Sequence, residues 1–126
     1  MENKGQIAVI SMVRNDTFFA DKWIEYYGTQ FGFKNLYLFI DGLDQVLPKE
    51  ANKINFFQKP HKPQKRAAGD RNRARIISNF AKKLFSDYQV VLAMDIDEFL
   101  VLDPIKKNSL KEYLLQDFST PSMPSF

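Results

Sequence analysis

The chain is 126 residues long and 44% hydrophobic, with twelve Phe, no Cys and a formal net charge of +3. That is one small domain's length, with enough apolar material for one core and no compositional sign of disorder. The composition excludes disulfides, thiolate metal sites and cysteine nucleophiles, and so small a net charge names no partner.

Taken in chain order, the start is polar and the apolar run 7–10 is too short for a signal core. No run reaches the length of a membrane span. These features point to a cytoplasmic protein, with the membrane surface open as a place of work. Residues 6–13 read as a strand, nearly continuous in apolar residues and therefore central. Arg14, Asn15 and Asp16 suit a loop or helix cap. Phe19, Trp23, Tyr26, Tyr27, Gln30 and Phe31 follow at spacings of three and four, with Asp21, Lys22 and Glu25 opposite. That is a helix, and Gly32 is placed to stop it.

Residues 35–40 form a second strand that ends in the turn signal Asp41-Gly42-Leu43-Asp44. Pro48 limits 46–52 to a loop or one helical turn. Residues 54–57 make a short third strand, and Pro60 and Pro63 bound an irregular loop. A long helix starts between Gln64 and Asp70 and runs to about Ser86. Its expected buried stripe is Ala74, Ile77, Ala81 and Leu84, widened by Phe80, Phe85 and Tyr88. Arg66, Arg71, Arg73 and Arg75 crowd its first turns, against the helix dipole, which an anion there would explain.

The next stretch, Val90-Val91-Leu92-Ala93-Met94-Asp95-Ile96-Asp97-Glu98, is an apolar run ending in three carboxylates. The run suits a strand buried on both faces, with the acids where it leaves the core. Kept extended, it would set Asp95 and Asp97 on one face and Glu98 on the other. Residues 99–102 read as a further short extended piece. Asn108 and Ser109 could cap a last helix through Leu110, Tyr113 and Leu114, and 119–126 read as a flexible tail.

Strand–helix alternation predicts an α/β fold with a Rossmann-like, mostly parallel sheet flanked by helices. Arg14-Asn15, Asp41-Gly42 and Asp95-Ile96-Asp97 each fall at the carboxyl end of a strand, where such sheets bind ligands. Lys59, His61, Lys62, Lys65, Arg66, Arg71, Arg73 and Arg75 form the one cationic patch legible in the sequence.

Six pieces then stand in a familiar order: Arg14-Asn15-Asp16, Trp23-Ile24, Gly32-Phe33, Asp41-Gly42, Arg71-Asn72 and Met94-Asp95-Ile96-Asp97-Glu98-Phe99-Leu100. Up to about Asp103 the chain resembles nucleotide-sugar glycosyltransferases of the GT-A fold. The likeness is to the family-two group and its relatives with an Asp-x-Asp-Glu-Phe signature. Lys22 and Tyr27 stand where such relatives often carry Glu and His.

The resemblance implies the N-terminal, donor-binding portion of a GT-A fold over 1–118. It implies donor contacts from Arg14, Asn15, Asp41, Arg71, Asn72 and Asp95, and a manganese or magnesium ion at Asp95 and Asp97. Asp97 is the main metal ligand in that reading and Glu98 is structural. The donor is a nucleotide-diphosphate sugar of UDP type, and the acceptor a polysaccharide or glycolipid. In the family the second half of the fold binds the acceptor and carries the general base. None of Asp103, Glu112 or Asp117 stands in the context of such a base, so the expectation is an incomplete GT-A domain.

Each residue also has a plainer role. The acids could solvate a strand end, Arg71 could line a helix face, and His61 is a lone histidine in a basic loop. The aromatic stripe Trp23, Tyr26, Tyr27 and Phe31 is expected to be core. Two other functions stay open: an inactive relative serving as a binding or structural module, and a nucleic-acid binder using the patch 59–75. The patch has no interleaved aromatic residues for base stacking.

Overall fold

The computed structural model describes residues 6–63, 65–100, 111, 114 and 115. Four strands, β1 (Ile7–Val13), β2 (Leu36–Asp41), β3 (Asn55–Lys59) and β4 (Val90–Ala93), form one sheet in the order β3-β2-β1-β4. Every pairing is parallel. Two helices are described in full, α1 (Thr17–Phe31) and α2 (Arg66–Leu84). This is a small α/β, Rossmann-like architecture. No helix among the described residues is long and apolar enough to cross a membrane.

Alternation along the strands sorts side chains to two faces. Ile7, Val9, Leu36, Leu38 and Ile40 pack with Trp23, Ile24, Tyr27 and Phe31 of α1. Ala8, Ile10, Tyr37 and Phe39 face the other way, against Ile76, Ile77, Phe80 and Leu84 of α2. β1 is buried along nearly its whole length, as expected of a central strand.

Helix α1 begins where the sequence signals it. The Asp16 side chain accepts the backbone N–H of Phe19 at 3.2 Å, satisfying one orphan donor of the first turn. It ends at Gly32, whose φ of +99° suits glycine and whose N–H donates to Gly28 O at 2.9 Å. Gly28 is required for a different reason. A Cβ there would lie 2.3 Å from the Phe33 ring, which seals the end of the helix.

Several expectations are corrected. The fourth strand is not buried on both faces. It pairs only with β1 among the described residues, and Val91 and Leu92 are half-buried. Its apolar run reflects packing of Val90 and Leu92 on the α1 side and of Val91 on the α2 side. The α2-side stripe holds at Ile77, Phe80, Ala81, Leu84 and Tyr88, but Ala74 is exposed, Phe85 is 57% exposed, and Ile76 joins the core instead. The frame 76, 77, 80, 81, 84 covers the sheet, and Ala74 falls off its side. β3 runs on to Lys59, two residues past the expected end, because its register with β2 continues to Asp41. The stretch 46–52 is a loop that leads into a single 3-10 turn at Ala51–Lys53, in keeping with the expectation.

Of the expected last helix, only Lys111, Leu114 and Leu115 are described. They are helical, and Leu114 is buried in the α1-side core. The tail 119–126 and the acids Asp103, Glu112 and Asp117 lie outside the described residues, as do Val101 and Leu102.

Candidate functional site

β2 and β3 extend to one side of β1, and β4 is added on the other. The chain direction therefore reverses its progress between β1 and β4. Open parallel sheets place their ligand crevice at this reversal, beyond the carboxyl ends of the strands. All three sequence-predicted loops sit at that end.

The first two are tied together. Arg14 Nη1 donates to the Asp41 carbonyl at 2.7 Å and lies 3.7 Å from Asp44 Oδ1. Asn15, in a left-handed conformation (φ 58°), exchanges two hydrogen bonds with Gln45: its N–H donates to Oε1 at 2.6 Å, and its Oδ1 accepts from Nε2 at 2.9 Å. Gly42 makes room for this arrangement. Its φ is +127°, and a Cβ there would meet Arg14 Nη1 at 2.5 Å. Arg14 and Asn15 thus brace the β2 loop.

The acidic turn is held by other means. The chain does not stay extended after β4, so strict alternation of the three acids does not apply. It turns at Ile96 and Asp97. Glu98 closes the turn: its N–H donates to Asp95 O at 3.0 Å, and its Oε1 accepts the Asp95 N–H at 2.8 Å. Glu98 is structural, as the sequence reading has it. Met94, Ile96 and Phe99 pack against the α1-side core, leaving Asp95 and Asp97 exposed between them. Val91 faces the α2 side, so the same alternation carries Asp95 toward that side as the ladder ends.

Two residues outside the sequence-predicted site fix this turn. Ser11 is buried, and its hydroxyl donates to Met94 O at 2.8 Å. Tyr27 is fully buried, donates to Glu98 O at 3.1 Å and accepts the Leu100 N–H at 2.9 Å. The Met94 sulfur also lies 3.1 Å from its hydroxyl, but a thioether is the weaker acceptor. The Tyr26 hydroxyl reaches Leu100 O. Burial pushes the Tyr27 phenol above its ordinary value, and the Leu100 N–H opposes that shift. The sequence carried one signal for Ser11, a hydroxyl inside an apolar strand. For Tyr27 it carried an aromatic at a core position, in a place where the resembled family often has His.

A cleft of about 790 Å³ opens on the α2 side, beyond β2 and β3. Met12 and Phe39 contribute its floor, and its walls include Asp41, His61, Asn72 and the start of α2. Asp41 Oδ2 lies 3.0 Å from His61 Nδ1. A carboxylate only accepts, so Nδ1 carries the proton. The cleft is cationic. Lys59, Lys62, Lys65, Arg66, Arg73 and Arg75 line it, against Asp41 and Asp70. Arg73 pairs with Asp70, and Arg75 donates to Asn72 Oδ1 at 2.6 Å. The start of α2 has no side-chain cap and no acid in its first turn. It therefore presents N–H groups as well as positive side chains on this side.

The structure brings Asp41 and Asn72 into one cleft and places Arg14 and Asn15 behind it. Arg71 lies one position outside, in a shallow depression with Ala68, Asn72 and Arg75. Its side chain makes no hydrogen bond or ion pair among the described residues. Asp95 and Asp97 do not line the cleft. β1 alone separates their strand from β2, so the acidic turn and Asp41 are two strands apart in the sheet.

Among the described residues no three His, Asp or Glu side chains gather into a ready-made metal cage. Asp95 and Asp97 offer hard carboxylate oxygens, which suit magnesium or manganese. Such an ion would draw its remaining ligands from water or a bound phosphate. Searches against family models, curated proteins and solved structures find no match to this chain.

Proposed function

We propose that this chain is the donor-binding part of a glycosyltransferase, taking a nucleotide-diphosphate sugar with manganese or magnesium. One observation carries the reading. Asp95 and Asp97 are exposed and without a cationic partner among the described residues, on a turn that Ser11, Tyr27 and Glu98 hold in place. Two neighbouring carboxylates repel, and fixing them at the sheet's switch point while leaving them unpaired suits a cation that arrives with its ligand. The resemblance of 94–100 to the Asp-x-Asp-Glu-Phe signature points the same way.

In this reading Asp97 and Asp95 hold the ion, which would supply positive charge to a leaving diphosphate. Asp41 accepts a hydrogen bond from the ribose or base. Asn72 and Arg71, at the start of α2, reach toward phosphate oxygens. Arg14 and Asn15 fix the β2 loop that carries Asp41. No residue is assigned as general base, so the reading concerns donor binding first and transfer to a polysaccharide or glycolipid second.

The test is calorimetric titration of UDP and UDP-sugars with manganese and with chelator. Because two carboxylates make half a site, metal and nucleotide should each tighten the other's binding by the same factor. Asp97→Asn should cost about tenfold or more in nucleotide affinity with manganese, and little with chelator. Affinity that ignores chelator, or that survives Asp97→Asn, overturns the proposal.

A further inference from the structure

Two loops leave the carboxyl end of the sheet side by side, one after β2 and one after β3. They are joined at their base. Gly42 N–H donates to Lys59 O at 2.6 Å, and Gln58 Nε2 donates to Gly42 O at 3.2 Å. The first loop carries Leu43, Val46 and Leu47, which are 65%, 76% and 41% exposed. Its backbone is nevertheless held, since Gln58 Nε2 also donates to Gln45 O at 3.4 Å and Pro48 is buried, and the Gln45 side chain ties it to Asn15. Three aliphatic side chains on a fixed loop therefore face water with nothing to cover them among the described residues.

The second loop and the helix start bring Lys59, Lys62, Lys65 and Arg66, all exposed. None has an anionic partner among the described residues. The nearby carboxylates are already engaged: Asp41 with His61, Asp44 with Arg14 and Asp70 with Arg73. Aliphatic side chains beside uncompensated cations are the combination that an anionic lipid surface takes up. Apolar groups enter the boundary between headgroups and acyl chains while cations stay with the lipid phosphates.

The geometry points to this end of the molecule as a docking surface for an anionic bilayer. Leu43, Val46 and Leu47 enter the headgroup region, and Lys59, Lys62, Lys65 and Arg66 pair with lipid phosphates. A nucleic acid fits the same cations less well. Neither loop carries a Phe, Tyr or Trp for stacking, and exposed aliphatic groups gain nothing from a phosphate backbone. The docking does not depend on the glycosyltransferase reading. If both hold, Asp41, Asp95 and Asp97 at the same end of the sheet face the lipid, and an acceptor is met at headgroup level.

The experiment is co-sedimentation of the full chain with vesicles of equal parts phosphatidylcholine and phosphatidylglycerol, against phosphatidylcholine alone. Binding is expected only to the anionic vesicles, and it should weaken with salt. The double variant Lys62→Glu, Lys65→Glu should lower partitioning about tenfold or more. The triple variant Leu43→Ser, Val46→Ser, Leu47→Ser should lower it about tenfold as well. These side chains are exposed, so thermal unfolding of both variants should match the parent. Equal partitioning to both vesicles, no partitioning, or a loss confined to the charge variant overturns the proposal. Displacement of the protein from vesicles by a single-stranded oligonucleotide of higher affinity overturns it in favour of a nucleic-acid surface. Asp97→Asn should not weaken vesicle binding, so failure of donor binding and failure of docking are read separately.

Discussion

The two faces of the sheet are built differently. On the α1 face, Trp23, Ile24 and Tyr27 are wholly buried against Ile7, Val9, Leu36, Leu38 and Ile40. On the α2 face, Leu84 is the one buried residue of a 19-residue helix, and Ile76, Ile77 and Phe80 are only half-covered. The first face is a frame. Through Tyr27 and the anchors Met94, Ile96 and Phe99, it fixes where Asp95 and Asp97 stand. The second face is an approach. Its far end is closed by hydrogen bonds among Tyr37, Tyr88 and Asn35, and its near end opens into the cationic cleft. One side of the sheet supplies position and the other supplies access.

The largest effect expected from this contrast is on stability. Trp23→Ala should cost about 3–5 kcal/mol, because a fully buried indole leaves a cavity that its neighbours only partly fill. Phe80→Ala, on the half-covered face, should cost about 1.5–3 kcal/mol at most. Urea unfolding of the two variants measures both. Equal losses would mean that α2 is packed as firmly as α1, and the contrast between frame and approach would fall.

Much of this layout is legible in the sequence. The apolar run 7–13, the cap at Asp16, the stop at Gly32 and the turn glycine Gly42 each follow from local chemistry, and the structure carries each of them. The stripe of α2 is legible at Ile77, Phe80, Ala81 and Leu84, which the structure packs against the sheet. Its margins are not: Ala74 and Ile76 flank the same stripe, and only the position of the sheet decides that Ile76 is covered and Ala74 is not. The run 90–94 misleads for a related reason. Apolarity signals burial without saying how complete it is, and a strand that has one partner among the described residues reads like a central one. Glu98 and Ser11 act through hydrogen bonds to distant or turned backbone, and sequence spacing does not encode those. The cationic patch was visible, but that it forms a cleft around Asp41 depends on β3 running to Lys59.

The second prediction sharpens what the frame does. Tyr27→Phe keeps the ring stack with Phe99 and removes only the hydroxyl. Glu98 O and Leu100 N–H would lose their partner, at a cost of about 1–3 kcal/mol. If the frame positions the acids, manganese-dependent nucleotide affinity should also fall, by less than in Asp97→Asn. Tyr37→Phe is the control from the other face. It removes a buried hydroxyl bonded to Tyr88 at 2.9 Å and should cost stability without touching nucleotide affinity. Equal effects of the two variants on binding would reduce Tyr27 to a packing residue.

The smallest effect appears only in alkali. Burial pushes the phenols of Tyr27 and Tyr88 above their ordinary 10.0, and for Tyr88 the hydrogen bond with Tyr37 adds to the shift. The sign follows from proton binding. Between the unfolded value near 10 and the higher folded value, the folded chain keeps a proton that the unfolded chain has lost, so stability falls as pH rises. Below pH 10 the contribution is fully present and flat. Within the window each tyrosine can contribute a slope of at most about 1.4 kcal/mol per pH unit, the limit for one proton. Unfolding curves of the parent, Tyr27→Phe and Tyr88→Phe from pH 9 upward measure it, and each variant should remove its own share of the slope. A parent whose stability stays flat through that range would mean that water reaches both phenols, the one on the frame included. Tyr27 could then not hold the acidic turn as rigidly as its bonds to Glu98 and Leu100 imply.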